Sequence, residues 1–107
     1  MASYLIQASY TPEAWAAQVK NPQNRIEALR PVVAQSGGKI VCGYYTFGEY
    51  DIMLIVEGMD NVTAAALSVG ATAGGAIKSI KTTPLMTVEE GMEAMRKAAT
   101  AGYRPPA

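Results

Sequence analysis

Five consecutive apolar residues, Ile52-Met-Leu-Ile-Val56, stand between Asp51 and Glu57 and constrain this chain more than any other stretch. The run reads as a strand, in which Ile52, Leu54 and Val56 point one way and Met53 and Ile55 the other. Both faces are apolar, so both need cover. The segment before it, Lys39 to Thr46, also reads as a strand, with Ile40, Cys42 and Tyr44 on one face and Val41, Gly43 and Tyr45 on the other. Only Phe47-Gly-Glu-Tyr50 separates the two, a tight connection that predicts an antiparallel hairpin. The sequence therefore sets an acid, Asp51, at the threshold of its most apolar strand.

The remaining elements follow from periodicity and punctuation. Ser3 to Tyr10 alternates Tyr4, Ile6, Ala8 and Tyr10 against Leu5 and Gln7, a first strand. Thr11-Pro12-Glu13 supplies a cap, a first-turn proline and a first-turn acid, so a helix is expected there, interrupted at Asn21-Pro22. Ile26, Leu29 and Val33 then share a helical face, with Pro31 expected to bend the helix and Gly37-Gly38 to end it. Asp60-Asn61 precedes an alanine-rich helix over Val62 to Ala73, closed by Gly74-Gly75. Ala76 to Thr83 is a fourth, less regular strand, because Ile77 and Ile80 have opposite parity; Pro84 places its end at an edge or a bulge. Thr87-Val-Glu-Glu90 is a capping box opening a solvated helix in which Glu93 precedes Lys97 by one turn.

The order predicts an α+β, ferredoxin-like βαββαβ fold, an antiparallel four-stranded sheet with helices on one face and an extra C-terminal helix. Residues 1–101 form the domain and residues 102–107 a tail. The other sheet face stays bare, and its apolar residues predict a homo-oligomer joined through it.

At 107 residues the chain forms one domain with a core of its own. Nine basic and nine acidic residues cancel, so no field steers the molecule to nucleic acid or to an anionic membrane, and no apolar run approaches a bilayer span. One cysteine and no histidine exclude an intramolecular disulfide and any metal centre not built from carboxylates. A cytoplasmic setting is expected, and Asn61-Val-Thr63 reads as a helix start ahead of a glycosylation site. Gly70 to Ser79 fails as a phosphate loop, since its lysine follows no glycine and its glycines follow a helix.

The hairpin Gly48-Glu-Tyr50-Asp51, running on through Ile-Met-Leu-Ile-Val-Glu-Gly-Met-Asp-Asn61, resembles the GYD-domain family, small bacterial proteins named for a glycine, a tyrosine and an aspartate at this place. Tyr4 to Thr11 and Gly37 to Phe47 carry the likeness further, which covers about Ser3 to Arg96. That family is similar to the dimeric α/β-barrel group. The resemblance implies two ferredoxin-like subunits packed sheet to sheet, or a larger homo-oligomer, and a cavity between sheet and helices. It implies no particular activity. The wider group includes monooxygenases, dismutases and ligand-sensing domains, some with a histidine-ligated haem; a chain without histidine lacks that ligand, and no cofactor or metal is expected.

The site candidates carry two readings each. Gly48 is expected to adopt positive φ in the turn. Asp51 either braces its turn, binds a ligand or moves a proton, or meets another subunit. Tyr10, Trp15, Tyr44, Tyr45, Phe47 and Tyr50 are core or interface aromatics, or line a cavity for a flat or apolar molecule. Arg25 and Lys81 are surface charges, or neutralise an anionic group. Cys42 is expected to be a buried small apolar residue. Three functions are consistent with these residues. The first is a homo-oligomeric binding or accessory protein with a small-molecule ligand. The second is a cofactor-free monooxygenase- or isomerase-like enzyme acting on a small aromatic or carbonyl compound, with Asp51 as base and Tyr45 or Tyr50 as donor. The third is a structural assembly subunit.

Overall fold

In the computed structural model, which describes residues 2–106, the patterns become strands β1 (Ser3–Tyr10), β2 (Lys39–Tyr45), β3 (Ile52–Glu57) and β4 (Ile77–Leu85) and helices α1 (Pro12–Lys20), α2 (Arg25–Gln35), α3 (Asn61–Ala73) and α4 (Val88–Ala99). Met1 and Ala107, included in the expected domain and tail, lie outside the described residues. The strands form one sheet in the order β2-β3-β1-β4, every pair antiparallel, which is the ferredoxin-like arrangement. The stretch between β1 and β2 holds two helices, broken at Asn21 to Asn24; Pro31 is accommodated inside α2.

Each helix begins where a side chain can accept an otherwise unpaired first-turn N–H. Thr11 Oγ1 accepts from Ala14, Asn24 Oδ1 from Glu27 and Asp60 Oδ1 from Thr63. Thr87 and Glu90 exchange both bonds of a capping box. At the end of α2 the amides of Gly37 and Gly38 bond the carbonyls of Ala34 and Val33, with Gly37 at φ 85°. That left-handed turn is one most side chains resist.

One face of the sheet meets α1, α2 and α3. Tyr4, Val33, Ile40, Leu54, Val56, Met59 and Ala64 are buried there, and Ala8, Tyr10 and Ile52 form a second group with Ile77 and Ile80 against them. Two bulges set which residues face inward. In β2 the pairing passes from Ile40 opposite Val56 to Cys42 opposite Ile55, so Val41 is an extra residue. Ile40, Gly43 and Tyr45 therefore face the helices and Cys42 and Tyr44 face away, where strict alternation had placed Ile40 with Cys42 and Tyr44. Cys42 is accordingly only half-buried. In β4 the pairing passes from Ser79 opposite Ser9 to Ile77 opposite Tyr10, which brings Ile77 and Ile80 onto the same face despite their opposite parity. Pro84 lies in β4, an edge strand, as its missing N–H requires.

The far face carries Leu5, Cys42, Tyr44, Met53 and Ile55, flanked by Gln7, Lys81 and Thr83, with Tyr44 63% exposed. No helix covers it. α4 stands apart as well: none of its residues is buried, and Val88, Met92 and Met95 are exposed. Its acid pairs one residue earlier than expected, Glu93 with Arg96 at 3.1 Å. The radius of gyration is 17.0 Å, against about 13 Å for a compact chain of this length, in keeping with an α4 that buries no residue and an exposed stretch over 100–106 after it.

Candidate functional site

The hairpin connection is a six-residue loop, Thr46 to Asp51, closed by the Thr46 N–H to the Asp51 carbonyl at 2.9 Å and by Thr46 Oγ1 to the Tyr50 carbonyl at 2.6 Å. It is longer than the tight turn expected between Thr46 and Asp51. Gly48 does not adopt the expected positive φ; the glycines that do are Gly37, Gly58, Gly75 and Gly102. A loop of this length reverses the chain without forcing any residue left-handed, and a Cβ at Gly48 would meet nothing within 4 Å.

Asp51 faces away from its own loop. Its N–H donates to the Ala8 carbonyl at 2.9 Å, and its Oδ2 accepts from the Tyr10 N–H at 2.9 Å and from Trp15 Nε1 at 3.3 Å. Where β3 ends, the Asp51 side chain thus continues the pairing with β1 and ties it to α1. The Tyr10 and Trp15 rings meet edge to face, with centroids 5.3 Å apart. Tyr45 secures the next connection: its hydroxyl donates to the Gln23 carbonyl at 3.0 Å and accepts from the Arg25 N–H at 3.2 Å, holding the α1–α2 loop to the sheet.

Behind this corner a cleft of about 800 Å³ runs between the sheet and the helices. Ile6, Ala8, Ile52 and Leu54 floor it, Leu29 and Val32 form one wall, and Ala66, Leu67, Gly70 and Ala71 form the other. Tyr10, Lys20 and Arg25 supply its polar end together with Gln18, Asn21 and Gln23. Burial, the largest cause, and Tyr45 beside it push the Tyr10 phenol above its ordinary pKa, while the nearby Arg25 guanidinium pulls it down. A smaller hollow of about 310 Å³ opens on the far face, lined by Gln7, Thr46, Phe47, Gly48, Glu49, Tyr50 and Lys81.

The candidates therefore divide. Arg25 lines the cleft; Phe47, Gly48, Tyr50 and Lys81 gather at the hollow; Trp15, Tyr45 and Asp51 build the corner between. Sequence reasoning missed Lys20 and the α3 wall. The signal was the run of alanines and Gly70 in α3, whose side chains are too small to fill the space over the sheet. Among the described residues, no group of three His, Cys, Asp or Glu could hold a metal ion, and no helix is long and apolar enough to cross a membrane.

Fold and cleft together define a small α+β protein of ferredoxin-like topology with a cavity on its helical side. The GYD domain, as a family model, matches residues 4–95, and the chain belongs to that family. A comparison with curated proteins found no match.

Proposed function

We propose that this chain is a homo-oligomeric small-molecule-binding protein that holds an apolar ligand in the cleft between its sheet and its helices. The observation that carries this reading is the cleft, whose size falls within the range of ligand sites and whose floor and walls are aliphatic. Self-association rests on the far face, where the partly exposed Leu5, Met53 and Ile55 join the exposed Tyr44 in an apolar patch beside Phe47, which is 99% exposed. The proposed setting is the cytoplasm, on the strength of a lone, half-buried Cys42. No observation favours the enzyme reading as strongly. The Asp51 carboxylate is engaged by two N–H donors, and Tyr50 opens onto the hollow on the other side of the sheet.

The neutral dye N-phenyl-1-naphthylamine tests the binding reading. It is expected to brighten at one site per chain and to change the emission of Trp15, the chain's single tryptophan, which touches the cleft-lining Tyr10. Leu67→Gln, in the cleft wall, should remove the signal; an unchanged signal in a folded variant refutes the location. For assembly, Ile55→Asp should shift the protein to a monomer in sedimentation, and a wild-type protein that is already monomeric defeats the reading.

A further inference from the structure

The charge around the cleft is one-sided. Lys20 and Arg25 line its polar end and no carboxylate does. Among the described residues the ion pairs are Glu27 with Arg30 and Glu93 with Arg96, so neither cleft cation is neutralised by a neighbour. Asp51, an acid of this corner, is outside the lining and its Oδ2 is occupied by the Tyr10 N–H and the Trp15 indole.

Arg25 is also in a costly place. It is the first residue of α2, where the helix dipole disfavours a positive charge. Nothing about helix stability calls for a cation there. Its main-chain N–H is held by the Tyr45 hydroxyl, which fixes the start of α2 at the cleft's end, and its guanidinium stands beside the Tyr10 phenol. Tyr10 is only 8% exposed, and its phenol lines the same cleft as the two cations, whereas Ser68, the polar residue of the α3 wall, is engaged with the Ala64 carbonyl and Thr82.

We infer that the ligand is an anionic amphiphile: an apolar body lies over Ile6, Leu54 and Leu67, and a carboxylate or phosphate head is met by Arg25, Lys20 and the Tyr10 hydroxyl. This rests on the cleft being the binding site. A guanidinium and a phenol converging on one acceptor provide charge-assisted hydrogen bonds that a neutral head cannot match. The aliphatic walls reward chain length and are indifferent to its detail.

Displacement of N-phenyl-1-naphthylamine by dodecanoate, dodecyl phosphate, dodecan-1-ol and dodecyltrimethylammonium separates these statements. At least one anion is expected to bind about tenfold tighter than the alcohol, the factor one charge-assisted hydrogen bond contributes, and the cation weakest. Whichever of dodecanoate and dodecyl phosphate binds tighter identifies the head. Arg25→Gln should bring the anions to the alcohol's affinity, each affinity being referred to the dye's own in that variant, and Arg25→Lys should restore part of the difference. Equal affinity for alcohol and anions, or an undiminished preference in Arg25→Gln, overturns the inference while the cleft reading stands; failure of the dye itself to bind removes both.

Discussion

The Asp51 carboxylate accepts the main-chain N–H of Tyr10 at 2.9 Å, beyond Ala8 opposite Ile52, the last residue pair of β1 with β3. An acid at the threshold of an apolar strand thus replaces a ladder acceptor the strand can no longer supply. The same oxygen receives the Trp15 indole N–H, so one side chain registers β1, β3 and α1. Tyr10, which lines the cleft, is positioned by this contact.

Removing the acceptor and keeping its shape should therefore separate. Asp51→Ala leaves the Tyr10 amide without its partner and is expected to destabilise the fold by about 1–3 kcal/mol, read as a lower urea midpoint at unchanged slope. Asp51→Asn retains an oxygen that accepts the same N–H and should lose less than half as much. An Asp51→Ala protein as stable as the parent contradicts the clamp.

Two glycines near the hairpin should behave oppositely. A Cβ at Gly43 would come 2.7 Å from Leu54 Cδ2 and 2.8 Å from Ile26 Cδ1, so the bare backbone of β2 is what lets α2 approach the sheet. Both atoms are terminal methyls that can give way, so Gly43→Ala is expected to lower stability by about 1 kcal/mol, the low end of overpacking. Gly48→Ala, in open space and without positive φ, should stay within about 0.5 kcal/mol. Thermal denaturation of the two variants side by side checks both.

The strand order and helix caps were legible because they rest on local signals: alternation in β1, the unbroken apolar run of β3, and Thr11, Asp60 and Thr87 each placed to cap a helix. The faces of β2 were not, because a bulge at Val41 depends on pairing with β3 and leaves no mark in the residue pattern. Gly48 and Asp51 were recognisable as belonging to the hairpin, while their roles were set by contacts far along the chain. Asp51 bonds residues 41 and 36 positions away, and nothing local announces Tyr10 or Trp15 as its partners. The cleft was legible only in part. Arg25 is visible as a cation at a helix start, but the void beside it comes from the packing of α2 and α3 over the sheet.

Burial holds the Tyr10 phenol above its ordinary pKa of 10.0, with Tyr45 adding to the effect and Arg25 opposing it. The folded state therefore keeps this proton more tightly than the unfolded state does. The resulting contribution to stability is complete below about pH 10 and is lost as pH rises through the folded-state value. Absorbance titration at the tyrosinate band should show one fewer late-titrating phenol in Tyr10→Phe than in the parent. The variant's stability should also fall less steeply between about pH 9 and pH 11. Identical alkaline profiles would falsify the assignment.

α4 offers a test of how much of the chain the domain needs. Its capping box and its Glu93–Arg96 pair are internal to the helix, and Val88 and Met95 are 82% and 72% exposed. A helix of 12 residues is marginal by itself, and here none of its residues is buried against the sheet. A chain ending at Met86 should consequently unfold in urea with a stability within about 0.5 kcal/mol of the full-length chain's, both measured in the Ile55→Asp background. Its helical circular dichroism should drop by the share α4 contributes, and in the Ile55→Asp background, which the assembly reading makes monomeric, its radius of gyration should approach about 12 Å in small-angle scattering. If truncation instead lowers stability by several kcal/mol, α4 folds back onto the domain in solution and its apolar stripe of Val88, Met92 and Met95 has a partner within the chain.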